Sequence, residues 1–168
     1  LDVRDFKVAL RTLRKLLREG HEVLDLDGTI DQTGKNGGDI DLVFKKDRAN
    51  RVRLVLLMDA GGSMAPHAQL VSRLFTAASE LKHFKSFEHY YFHNCVYGQL
   101  FRNYETWDRR PTQEVLRELT PEHRVIYVGD ASMAPWELFQ DSGGFGEQGP
   151  AGIDWLKQLK AACPHSIW

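Results

Sequence analysis

Two acids at the ends of apolar runs are the residues of this chain best placed to do chemistry. Arg51-Val-Arg-Leu-Val-Leu-Leu-Met58 runs into Asp59-Ala-Gly-Gly-Ser-Met64, and Arg124-Val-Ile-Tyr-Val-Gly129 ends on Asp130. Two carboxylates with the hydroxyls of Ser63, Ser132 and Thr112 make a set of hard oxygen donors. Such a set suits a divalent cation such as Mg²⁺ that keeps a place for water or for an oxygen of another molecule. Gly61 and Gly62 let the chain turn tightly enough for Ser63 to point back at the spot Asp59 faces. Each residue also has a plainer reading. Asp59 or Ser63 could cap the next helix, Asp130 the segment after it, and Thr112 the helix that starts at Gln113 and Glu114. The pairing of two strand-ending acids favours ion binding over capping.

The elements that must position these residues follow from periodicity. Phe6, Val8, Leu10, Leu13, Leu16 and Leu17 recur mostly at three and four, which predicts an amphipathic helix from Val3 to Arg18 ended by Gly20. A polar stretch from Asp25 to Gly38 reads as a loop, Asp39 to Phe44 as a short strand, and Lys45 to Asn50 as a charged turn. The run from Arg51 to Met58 has the character of a parallel strand buried on both faces. Leu70, Leu74, Phe75, Ala78 and Leu81 then give a helix its apolar face as far as about Phe84. Glu88 to Phe92 and Cys95 to Phe101 predict a hairpin around His93-Asn94. A helix from Thr112 to Leu119, a buried strand ending on Asp130, a helical turn over Ser132 to Gln140, a flexible loop over Asp141 to Gly152, a helix over Ile153 to Ala162 and a strand from His165 complete the order. Strands alternating with helices in this way predict an α/β three-layer sandwich, a Rossmann-like, largely parallel sheet flanked by helices. In such sheets ligands bind at the carboxyl ends of the strands, where Asp59 and Asp130 lie.

Composition limits the function classes. The chain has 168 residues, 42% of them hydrophobic and 27% charged, enough for a core of its own. Lys and Arg number 22 against 23 Asp and Glu, so no bulk field draws the protein to nucleic acid or to an anionic membrane. No apolar run is long enough to cross a bilayer. Two cysteines far apart, Cys95 and Cys163, suit a reducing compartment and predict a cytoplasmic protein. The start at Leu1 and the stop at Trp168 read as a piece of a longer chain truncated at both ends. Its expected division is an N-terminal helix over 1–20 and one domain over 21–168.

The segment Asp59-Ala-Gly-Gly-Ser-Met64 after a buried strand resembles the first motif, Asp-x-Ser-x-Ser, of the metal-ion-dependent adhesion site of von Willebrand factor A (VWA) domains. Asp25-Leu-Asp-Gly-Thr-Ile30, Gly37-Gly38, Phe92-His-Asn94, Val128-Gly-Asp-Ala-Ser-Met133 and Pro164-His-Ser-Ile-Trp168 narrow the resemblance to the bacterial CoxE-like VWA proteins. It covers most of the chain from about Leu24 onward. The resemblance implies a VWA fold and a protein-binding module without catalysis of its own. It also implies a MoxR-type AAA+ ATPase as partner, in assembly or remodelling of a client protein. Position by position it implies a metal site of Asp59, Gly61, Ser63, Thr112 and Asp130, with Mg²⁺ as the ion ahead of Mn²⁺ or Ca²⁺. Gly61 stands where the family has its first serine, which removes one hydroxyl and leaves water to fill the place. Thr106 competes with Thr112 for the threonine of the middle loop.

Other constellations compete. Asp25-Leu-Asp-Gly-Thr29 resembles the nucleophile motif of haloacid-dehalogenase-type phosphatases, with Asp25 as nucleophile, Asp27 as acid and base and Asp130 on Mg²⁺. That motif needs a buried strand before it, and here only Val23 and Leu24 are apolar. Gly61-Gly-Ser-Met-Ala65 with Asp130 and His165 has the chain order of a hydrolase triad, but Asp59 occupies the place where the serine should stand. His89, His93 and Cys95 share strand parity, and three ligands on one edge strand make poor tetrahedral geometry. Inward packing of Tyr90 and Phe92, with the histidines outward or His93 at the hairpin top near the cleft, is the simpler expectation.

Overall fold

The computed structural model describes residues 1–13, 16–103, 108–141 and 149–168, and for 16–20 and 48–49 the backbone only. Leu1–Leu13 with Val52–Trp168 form one compact unit and Arg14–Arg51 a second. The boundary expected after residue 20 falls inside the second unit.

The first unit is built on a six-stranded sheet. Its strands are β3 (Arg53–Asp59), β4 (Ser86–Phe92), β5 (Gln99–Asn103), β6 (Asp108–Pro111), β7 (His123–Val128) and β8 (Ser166–Ile167), in the order β6-β5-β4-β3-β7-β8. β3 pairs in parallel with β4 and β7, and β7 with β8, while β5 and β6 run antiparallel along one edge. This is the expected three-layer α/β sandwich with a mixed, largely parallel sheet. Leu54, Leu56 and Met58 of β3 meet α1 (Val3–Arg11) and α3 (Ala68–Glu80) through Leu10, Ala77 and Ala78. Val55 and Leu57 point to the other face, where Val115 of α4 (Thr112–Glu118) and Trp155 and Leu159 of α6 (Gly152–Ala162) cover them. β3 is therefore buried on both faces, as its unbroken apolar run requires.

The hairpin expected over 88–101 forms as β4 and β5, joined through an isolated bridge between His93 and Cys95. Tyr90 and Phe92 face the α4 and α6 side as expected. His89 does not face out: its ring centroid lies 4.7 Å from that of Phe75 and 5.8 Å from that of Tyr91, within the layer beneath α3. The helical turn expected over 132–140 is α5 (Pro135–Phe139). Most of the loop expected over 141–152 lies outside the described residues.

The second unit departs from expectation throughout. The first helix stops at Arg11, where the Thr12 and Leu13 amides turn back to the carbonyls of Ala9 and Leu10, instead of running to Arg18. The chain then forms β1 (Leu16–Leu24), paired antiparallel with β2 (Phe44–Asn50). The strand expected over 39–44 is thus displaced into the stretch read as a charged turn. On a two-stranded ribbon, backbone pairing holds a strand without apolar alternation, so the usual period is missing. The polar stretch read as a loop is α2 (Leu26–Lys35), which buries none of its residues.

Candidate functional site

Asp59 ends β3 opposite Phe92, its Cα partner at the end of β4, and is only 5% exposed. Its Oδ1 accepts hydrogen bonds from the amides of Gly61 at 2.8 Å and Asn94 at 2.9 Å. Its Oδ2 is buried with no hydrogen-bond partner. A carboxylate oxygen without a donor is costly to bury, and a cation is one group that removes the cost. The carboxylate lies between two glycines. A Cβ on Gly129 would stand 2.9 Å from the Cβ of Asp59 and 3.3 Å from Oδ2, and one on Gly61 would stand 3.1 Å from Oδ1.

Beyond Gly129 the chain turns through Asp130, whose Oδ1 accepts from the Ser132 amide at 2.9 Å, with Ala131 at φ 54°. That amide and the Ser63 hydroxyl hold the Asp130 carboxyl below the usual carboxylate value. Ser63 and Asp130 are both exposed, whereas Asp59 is buried. The plainer alternative, Ser63 as a helix cap, is not met: Ser63 lies in a 3-10 helix over Gly62–His67 that has no side-chain cap bond. Trp168 closes the far side, its indole N–H donating to the Gly129 carbonyl at 3.1 Å and its ring stacked on Tyr127 at 5.3 Å.

Thr112 is placed differently from the other three. It is fully buried and begins α4 behind Pro111, which takes the cap position expected of the threonine. Its hydroxyl is donated to the Tyr97 carbonyl. Among the described residues no hydrogen bond ties Thr112 to Asp59, Ser63 or Asp130, and Thr106 lies outside the described residues. Nor do the described residues contain a group of three or more His, Cys, Asp or Glu side chains that could hold a metal. The hard oxygen donors described around the end of β3 and the turn after β7 are Asp59, Asp130 and the Ser63 hydroxyl.

Two residues that the sequence reading did not place at the site complete the surroundings. Asn94, at φ 54°, donates its side-chain amide to Oε1 of Glu137 at 3.0 Å. Glu137 is itself buried, and its Oε2 accepts from the Ala134 amide at 2.7 Å. The Tyr97 hydroxyl donates to the Glu137 carbonyl, and burial pushes that phenol up to about 12. Asn94 had a signal, an asparagine in a tight turn where left-handed backbone is tolerated. Glu137 had none. Next to the site a cavity of about 430 Å³ opens between the sheet and α3, lined by Asp59, Gly61, Met64, Val71, Phe75 and Tyr91 among others.

The family model for VWA domain containing CoxE-like protein matches residues 4–98, more than half of the chain. The chain belongs to that family. No curated protein and no solved structure matches it. The matched stretch of the VWA domain holds Asp59, Gly61, Ser63 and Asn94 and ends before Thr112, Asp130 and Glu137.

Asp25 and Asp27 of the phosphatase reading belong to the second unit. Asp25 is the N-cap of α2, accepting from the Gly28 amide at 3.2 Å and from Lys45 at 2.8 Å, and Asp27 lies in the first turn. The strand before them is β1 of a two-stranded ribbon. The Asp-x-Asp-Gly-Thr pattern is here a helix N-terminus, with cap, acidic first turn and basic last turn in their usual places.

Proposed function

We propose that this VWA domain is a protein-binding module whose capture of a partner depends on a divalent cation, Mg²⁺ ahead of Mn²⁺ or Ca²⁺. Asp59, Asp130 and Ser63 would hold the ion. When bound, the ion supplies an open coordination position that a carboxylate of the partner completes. The observation that carries this reading is the buried, unpartnered Oδ2 of Asp59, close to the turn that brings Asp130 and Ser63 together. By family resemblance the partner is a MoxR-type AAA+ ATPase, and the setting is assembly or remodelling of a protein complex.

Thermal melts of wild type and Asp59→Ala in EDTA, Mg²⁺, Mn²⁺ and Ca²⁺ test the ion. A ligand at about 100 times its Kd adds roughly 2.7 kcal/mol to the native state, a clear rise in midpoint. The rise is expected in wild type and not in Asp59→Ala. Pull-down of the cognate ATPase tests the partner, and equal capture by wild type and Asp59→Ala would sink the metal-bridged mechanism.

A further inference from the structure

Gly61 removes a hydroxyl from the family's motif, and the space it leaves is filled. A Cβ built on Gly61 would lie 2.2 Å from Oδ1 of Asn94, closer than any two unbonded atoms can stand, and 3.1 Å from Oδ1 of Asp59. The Asn94 carbonyl oxygen therefore lies in the volume that a seryl hydroxymethyl group would sweep.

Two contacts keep it there. The Asn94 backbone amide is fixed on Asp59, and its side-chain NH₂ is spent on the buried Glu137. Because the NH₂ must face Glu137, the amide cannot flip, and the oxygen is the atom turned to Gly61. The left-handed φ of 54° at Asn94 aims the side chain back across the end of β3.

From this we infer that Asn94 supplies, from the end of β4, the hard oxygen that position 61 has lost, and is a ligand of the divalent cation with Asp59, Ser63 and Asp130. A carboxamide oxygen is a normal donor for Mg²⁺, Mn²⁺ and Ca²⁺. The inference rests on the proposed ion site. It goes further in that it makes Gly61 and Asn94 an exchanged pair: the glycine is required by the asparagine, and the asparagine replaces the serine.

Four variants of the full chain, read by Mn²⁺ calorimetry and by melts in EDTA, test it. Asn94→Gly keeps the left-handed backbone and the amide bond to Asp59 while removing the oxygen. It should fold in EDTA and lose about tenfold or more in Mn²⁺ affinity. Asn94→Asp combined with Glu137→Gln retains an oxygen and reverses the hydrogen bond between the two side chains, so it should bind Mn²⁺ at least as tightly as wild type. Gly61→Ser alone should melt below wild type in EDTA. Gly61→Ser with Asn94→Gly should recover most of the lost Mn²⁺ affinity.

Wild-type affinity in Asn94→Gly would overturn the inference while leaving the ion site standing. A loss in Asn94→Asp with Glu137→Gln as large as in Asn94→Gly would overturn it too. A folded wild type that takes up no Mn²⁺ would remove the ion site itself, and the inference with it.

Discussion

At the scale of single residues, Asp59 is placed by backbone closeness as much as by its own hydrogen bonds. Gly129 passes so near that any side chain there must displace it, since a Cβ would stand 2.9 Å from the Asp59 Cβ. Gly129→Ala should cost about 1–3 kcal/mol by overpacking and weaken the cation-dependent rise in melting temperature. Gly62→Ala, whose Cβ would meet nothing within 4 Å, should stay within about 0.5 kcal/mol of wild type when both glycine variants are unfolded in urea. His123 gives a second prediction. Its ring is buried, Nδ1 accepts the Thr120 amide at 2.9 Å, and burial holds its pKa below the ordinary 6.5. Between the folded value and 6.5 the unfolded chain binds more protons, so the stabilisation from the neutral ring is full above 6.5 and lost as pH falls through the folded value. His89, lowered by burial and by Arg102, acts in the same direction. The urea midpoint should drop as pH falls below 6.5, and His123→Gln, which keeps an acceptor for the Thr120 amide, should flatten part of that drop. A slope unchanged in His123→Gln would assign the acid sensitivity to other groups.

At the scale of elements, what could be read from sequence follows burial. β3 and β7 announce themselves because a strand covered on both faces has no polar position to interrupt it, and α3 and α6 because each lays one stripe on the sheet. Asp59 and Asp130 could be found for the same reason, since each is the first acid after such a strand. The ribbon of β1 and β2 carried no such mark: among its described side chains none is buried, and Leu16 and Leu17 continue by chance the helical spacing that ends at Arg11. Asp25 to Lys35 looked like a loop because two glycines and several acids lower helix propensity, while the Asp25 cap and the Asp31–Lys35 pair act the other way. Thr112 shows the limit for site residues. Its place before Gln113 and Glu114 fitted a cap, but the register of β5 with β6 sets Pro111 opposite Gln99 and turns the hydroxyl to Tyr97. Asn94 and Glu137 are 43 residues apart, and only the folded chain shows that one orients the other.

At the scale of the whole molecule, the two hydrophobic cores are drawn from the unit formed by Leu1–Leu13 and Val52–Trp168. Among the described residues, Arg14–Arg51 contributes to neither. The same segment exposes Leu26, Ile30, Ile40, Leu42 and Phe44, each more than half accessible. A two-stranded ribbon with one helix that buries nothing is too small to hold itself folded by burial, so a peptide of residues 14–51 should show a mainly unfolded circular dichroism spectrum. The other unit has the opposite balance. The loop-closure cost of replacing a connecting segment grows only slowly with its length, so substitution of residues 14–51 by a flexible Gly/Ser linker of about ten residues should leave the cores intact. That variant should melt cooperatively and keep the cation-dependent rise, because Asp59, Ser63, Asn94 and Asp130 all stay within the retained unit. A non-cooperative melt would show that the cores depend on the removed segment. A cooperative melt without the cation response would instead make residues 14–51 part of what the ion site needs, and would move the search for missing ligands into that segment.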